Sequence, residues 1–143
     1  IVDPKGTNWM KYAGADYITP NLKEINAVLP DPIRNEDQPV ETAARSVMKK
    51  YQLGSLIVTR SEAGLSLICE GEIKHIPTKA QEVFDVSGAG DTVIAVFAMG
   101  IAGGIAPVAS AYLANLAAGV VVAKLGTYAV SREELLKALE KEK

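Results

Sequence analysis

Asp85-Val86-Ser87-Gly88-Ala89-Gly90-Asp91-Thr92 is a glycine-rich turn set directly before an apolar run containing Val93, Ile94, Val96 and Phe97. Glycine lets a backbone turn tightly and approach a ligand with no Cβ in the way. A helix that starts here exposes its first amides, which have no intrahelical acceptor and carry the positive end of the helix dipole. Such amides suit a phosphoryl group in transfer. Asp91 falls in the first turn, where a carboxylate can accept the proton of a hydroxyl. The same residues also describe an ordinary Asp at a helix start behind a flexible loop, and taken alone the stretch divides evenly between the two. Two other phosphate motifs are excluded. There is no G-x-x-x-x-G-K-[ST], and the third glycine position of G-x-G-x-x-G is Val93.

Outward from this turn, strands and helices alternate. Residues 1–3 read as a strand stopped by Pro4 and Gly6, and residues 17–19 as a second, ended by Pro20. Asn21 opens a helix to about Leu29, with Glu24 at the capping-box position. Residues 39–51 carry apolar Val40, Ala43, Ala44 and Val47 at helical spacing behind a first-turn proline. Residues 55–59 are an apolar strand of the buried parallel kind. Residues 64–69 and 73–77 flank Glu70-Gly71-Glu72, which predicts a hairpin. Helices follow at about 89–99, 107–124 with Gly126 as a stop, and from the capping box Ser131-Arg-Glu-Glu134 into a charged tail. The alternation predicts one α/β domain, or part of one, over residues 1–143, with a largely parallel sheet and helices on its faces.

Bulk properties remove several classes of function. A chain of 143 residues, 48% apolar, can bury a core without a staple. A net charge of -2 lacks the electrostatic footprint of a nucleic-acid binder. One Cys and one His build neither a disulfide framework nor a zinc site, which points to a reducing compartment, the cytoplasm, and to a buried, inert Cys69. Gly100, Gly103, Gly104 and Pro107 split the longest apolar stretch, so no membrane span is expected. The opening Ile1-Val2-Asp3-Pro4 reads as the end of a buried strand and raises the expectation of sequence upstream.

Residues 85–98 resemble the C-terminal signature of the ribokinase-like carbohydrate kinases, whose core is a Gly-Ala-Gly-Asp turn. Within that family the chain is most similar to the bacterial heptose-7-phosphate kinases. The similarity lies in Asp3-Pro-Lys-Gly6, Ile18-Thr-Pro-Asn21, Val58-Thr-Arg-Ser-Glu-Ala-Gly64, Ile76-Pro-Thr-Lys-Ala-Gln-Glu-Val83 and Ala114-Asn-Leu-Ala-Ala-Gly-Val-Val-Val-Ala-Lys-Leu-Gly126. The resemblance implies the C-terminal half of a ribokinase-like three-layer sandwich. It implies Asp91 as the base that deprotonates a sugar hydroxyl, with the amides of Gly88, Ala89 and Gly90 as the anion hole. Val96 departs from the Ala or Gly usual in the signature and bears on packing rather than chemistry.

The resemblance also implies an ATP side. Asn21, Leu22, Lys23 and Glu24 match an element beside the ATP phosphates, with Glu24 ordering Mg²⁺ through water. The same four residues are also an ordinary capping box, and both roles can hold at once. Thr59 and Gly64 match a turn near the phosphates, at the carboxyl end of a strand. Arg60 is open between a phosphate partner and a solvated loop charge, and Lys5 between a nucleotide contact and a surface lysine. Asn115 matches a position lining the adenine pocket, or caps a neighbouring loop, and Ala118, Gly119 and Val122 let the base lie close or simply allow tight helix packing. Asp85, with Val86, matches a monovalent-cation position in some members. His75 is expected in an edge or packing role.

The implied activity is transfer of the ATP γ-phosphoryl group to the anomeric hydroxyl of a heptose 7-phosphate, a step towards ADP-heptose and lipopolysaccharide. The partners implied are ATP, a sugar phosphate and the sugar-binding N-terminal half of the kinase with its lid, and the isolated chain is expected to be inactive. Surfaces left bare by that missing half can drive homo-oligomer formation. Two rivals stand beside this: a non-catalytic nucleotide-binding or assembly module, and a kinase for another small sugar of the ribose or fructose type.

Overall fold

The computed structural model describes residues 1–79 and 83–142. Residues 80–82, within the motif that begins at Ile76, lie outside the described residues. The chain divides into two compact units, Ile1–Pro77 and Thr78–Lys143.

The first unit is built on a four-stranded sheet in the order β1-β2-β3-β4, with β1 at Tyr17–Ile18, β2 at Ser55–Thr59, β3 at Leu65–Cys69 and β4 at Glu72–Ile76. Helices α1, Leu22–Asn26, and α2, Asp37–Tyr51, lie in the connection from β1 to β2. That connection is long enough for a crossover, and the two strands pair parallel, Tyr17 opposite Ser55 and Ile18 opposite Leu56. The expectation of a largely parallel sheet fails beyond this pair. Strand β2 meets β3 antiparallel, Thr59 opposite Leu65, and β3 meets β4 antiparallel, Cys69 opposite Glu72. The reason is chain length. Residues 60–64 cannot carry the dozen or more residues that a parallel return requires. Glu70 and Gly71 close the expected hairpin, with Gly71 at φ 80°.

The expected first strand shrinks to an isolated parallel bridge between Val2 and Ile18. Helix α1 is shorter than expected, ending at Asn26, and α2 starts at Asp37, two residues before Pro39. Pro39 still sits in the first turn, where its missing N–H leaves no bond unmade. Val40, Ala43, Ala44, Val47 and Tyr51 are the buried stripe of α2, and they pack with Trp9, Ile18, Ile25, Leu56, Val58 and Ile68 in one core. The fully buried Trp9 indole donates to the Gly6 carbonyl at 2.9 Å, so its burial leaves no donor unpaired. Cys69 ends β3 half-buried and free, more exposed than the sequence suggests.

The second unit holds three helices, α3 at Ala89–Ala102, α4 at Pro107–Val122 and α5 at Arg132–Glu140. Helix α3 runs three residues past the expected end, and α4 stops two short of Lys124. Buried Gly100 of α3 lies against Ser110 of α4. A Cβ placed there would come within 2.8 Å of the Ser110 Cβ, so glycine sets the approach of these helices. Val96, the departure from the family signature, is buried on α3 and acts in packing. Helix α5 opens with the expected capping box. The Ser131 hydroxyl accepts from the Glu134 amide at 3.2 Å, and Glu134 accepts from the Ser131 amide at 3.0 Å. No helix among the described residues is long and apolar enough to cross a membrane.

Candidate active site

Helix α3 begins without a side-chain cap. Its N-cap is Gly88, in the left-handed region at φ 80° and ψ -2°, a conformation that glycine adopts without steric cost. The Gly88 carbonyl accepts from both the Thr92 amide and the Thr92 hydroxyl, each at 2.9 Å, which locks the first turn. Of the three amides expected to form the anion hole, that of Ala89 donates to the Val86 carbonyl at 3.2 Å and is partly spent in the turn. A Cβ built on Gly90 would meet nothing within 4 Å, so the helix start borders open space. Asp91 lies in the first turn and is exposed.

The turn is held from behind. The Phe84 amide donates to the Val122 carbonyl at the end of α4 at 2.8 Å. The Asp85 carboxylate accepts from the Ser87 amide at 2.8 Å and from the Gly126 amide at 3.2 Å. The Ser87 hydroxyl, then the Ser87 and Gly126 amides, hold the Asp85 carboxyl below its usual range. The role of Gly126 here has no local sequence signal, because 41 residues separate it from Asp85. Asn115 is buried within α4, and Gly119 is half-buried four residues further along the same helix.

In the first unit, Asn21 and Glu24 form the complete capping box, both bonds at 2.8 Å. Leu22 and Lys23 are the first residues of α1. The other Glu24 oxygen pairs with Lys5 Nζ at 3.3 Å, and Lys5 also meets Asp3 at 3.0 Å. Bonds to Asp3 first, then to Glu24, raise the Lys5 ammonium above its ordinary range. Thr59 comes to the same corner, since its amide donates to the Pro20 carbonyl at 2.9 Å and it bridges Asn21. Asp3, Lys5, Asn21, Glu24 and Thr59 are thus gathered at one end of the parallel strand pair.

Arg60 departs from one of its two sequence expectations: it is not a solvated loop charge but 3% exposed and bonded inside the unit. Its Nη1 donates to Asp37 Oδ1 at 2.6 Å and to Ser66 Oγ at 3.0 Å, and its Nε donates to Asn35 Oδ1 at 2.9 Å. The bond to Arg60 holds the Asp37 carboxyl below its usual range. His75 in β4 joins this cluster, as an edge or packing role would have it. The turn that Arg60 opens contains Ser61 at φ 52° and Gly64 at φ 82°.

A Glu24 carboxylate already anchored at the helix start fits a water-mediated contact to a cation. It does not fit a metal cage, and no group of three His, Cys, Asp or Glu among the described residues is placed to hold a metal ion.

A model of the pfkB family of carbohydrate kinases matches residues 1–134, and the chain belongs to that family. Bifunctional protein HldE of Trichlorobacter lovleyi is 50% identical over 143 residues, 99% of this chain and 29% of that protein. Bifunctional protein HldE of Vibrio cholerae is 48% identical over 140 residues, again 29% of its length. The chain therefore spans under a third of these relatives. Among solved structures, the ribokinase of Thermotoga maritima aligns with a TM-score of 0.78 at 30% identity, covering 87% of this chain and 42% of the ribokinase. Phosphofructokinase-2 of Escherichia coli, in complex with potassium, gives a TM-score of 0.82 at 15% identity over 92% of this chain and 42% of that one, a likeness of fold alone.

Proposed function

We propose that this chain carries the ATP-binding and catalytic residues of a kinase that phosphorylates the anomeric hydroxyl of D-glycero-D-manno-heptose 7-phosphate. The observation that carries this is the start of α3: a left-handed glycine, no side-chain cap, and an exposed carboxylate one turn in. Asp91 takes the proton of the sugar hydroxyl, whose oxygen then forms the new bond to the γ-phosphorus as the bond to ADP breaks. The amides of Gly88 and Gly90, with a lesser share from Ala89, stabilise the charge on the moving phosphoryl group. Asp85 fixes the turn that presents them, and its place next to that turn suits a monovalent cation in support. Asn21, Lys23, Glu24, Thr59 and Gly64 serve the ATP phosphates, while Asn115 and Gly119 serve the base. Glu24 would hold Mg²⁺ through water, and the ion, when bound with ATP, would supply neutralisation of phosphate charge.

The test is a chimera in which residues 1–143 replace the matching stretch of the T. lovleyi relative. Supplied with Mg-ATP and heptose 7-phosphate, it should release ADP with a higher kcat/KM than with ribose or fructose 6-phosphate. A higher value for either rival sugar would overturn the choice of acceptor. A folded chimera that releases no ADP with any of them would overturn the kinase assignment.

A further inference from the structure

The Arg60 cluster has a direction. Arginine has no acceptor, so wherever its Nη1 makes a hydrogen bond the partner must accept. Nη1 donates to Ser66 Oγ at 3.0 Å and stands 3.3 Å from His75 Nδ1. Ser66 Oγ lies 2.7 Å from the same Nδ1, and having accepted from Arg60 it has its own proton to give. His75 Nε2 faces Glu41 Oε1 at 2.8 Å, a carboxylate that only accepts. Glu41 accepts the hydrogen bond of an Nε2–H, which leaves a neutral ring with a bare Nδ1 to accept the Ser66 hydroxyl, and the Arg60 guanidinium beside it has no acceptor for a proton on Nδ1. Asp37 Oδ1 is 3.6 Å from Nδ1, beyond hydrogen-bond reach, and is bound to Arg60 instead.

We infer that Arg60, Ser66, His75 and Glu41 form a directed hydrogen-bond relay, and that His75 is a positioning residue that fixes the 59–64 turn through it. Asn35 closes the relay on the turn itself, because its amide group donates to the Arg60 carbonyl at 3.0 Å while its oxygen accepts from Arg60 Nε at 2.9 Å. The turn needs such support. Ser61 is a non-glycine residue at φ 52°, a conformation L-residues adopt at a cost, and the Arg60 amide must reach the Gly64 carbonyl at 2.8 Å to close the loop. Ser66 is wholly buried, so the Ser-His-Glu order is structural and not a nucleophile with its base. The functional consequence rests on the proposed function: a fixed turn keeps Thr59 and Gly64 in place for the nucleotide phosphates.

His75 is the one histidine in the chain, so the imidazole resonances of the full 143-residue protein, labelled with ¹⁵N-histidine, report this ring alone. The expected spectrum at pH 8 is the Nε2–H tautomer. An Nδ1–H ring, or a mixture of both tautomers, would overturn the relay. His75→Leu should speed hydrogen exchange at the Arg60 amide by at least about tenfold, the scale of leaving a buried donor unpaired. His75→Asn, which keeps an acceptor near the Nδ1 position, should restore most of the protection. Equal exchange in the two variants would contradict a role through that acceptor. In the chimera, a loosened turn should weaken Mg-ATP binding. A loosened turn with unchanged Mg-ATP affinity would leave the relay standing and overturn the assignment of that turn to the nucleotide.

Discussion

Helices α1 and α3 meet the same problem, orphan amides at their first turn, in opposite ways. Helix α1 closes itself: Asn21 and Glu24 exchange two bonds at 2.8 Å, and Lys5 covers the carboxylate that remains. Helix α3 opens with Gly88, which has no side chain to offer, beside the open space at Gly90. A capped start adds stability and leaves little unsatisfied. An open start leaves amides to be satisfied by something else, and the bonds that Asp85 accepts from the Ser87 and Gly126 amides tie down the turn before it. The difference teaches that one helix start has its polar groups already paired within the chain, while the other leaves them for a further partner.

The largest expected break is at α3. Asp91→Asn in the chimera should fold normally and lower kcat by about 10²- to 10⁴-fold, the usual contribution of a positioned base, measured by steady-state kinetics. Gly88→Ala should come next. Thr127 leaves an added methyl ordinary van der Waals room at 3.6 Å, so the cost is the left-handed backbone, about 1–2 kcal/mol in denaturant unfolding. Asn21→Ala should cost about 1 kcal/mol of stability, and it should change kcat far less than Gly88→Ala does.

The smallest effect sharpens the comparison at the other capped helix, α5. The Ser131 amide, then the Tyr128 hydroxyl, lower the Glu134 carboxyl from 4.5 to about 2. A depressed carboxyl stabilises the fold above its unfolded value and loses that contribution as pH falls through its folded value. The start of α5 should therefore hold above pH 4.5 and loosen as pH falls towards about 2, followed by amide exchange at Glu134. Glu134→Gln should flatten that dependence.

Local chemistry made much of this legible in the sequence. Both capping boxes, the Glu70-Gly71 hairpin and the glycine turn before α3 are patterns within eight residues, and each forms where its spacing says. The direction of β3 could also have been read from the length of the 60–64 connection, a constraint that an apolar strand pattern does not express. Arg60 was not legible at all. Its partners Asn35, Asp37, Ser66 and His75 are spread over forty residues, and only the fold brings them to one guanidinium. The partial use of the Ala89 amide by Val86 is a matter of turn geometry that composition cannot reveal.

The proposed function requires the open start of α3 to grip a phosphoryl group in flight. Calorimetry on the chimera can compare Mg-ADP with Mg-ADP plus aluminium fluoride and sugar phosphate, a mimic of the planar transferring group. Gly88→Ala should keep its affinity for Mg-ADP and lose most of the added affinity for the mimic, while Ser131→Ala, at the capped start of α5, keeps that added affinity. A Gly88→Ala chimera that binds the mimic as tightly as the unaltered one would contradict the account.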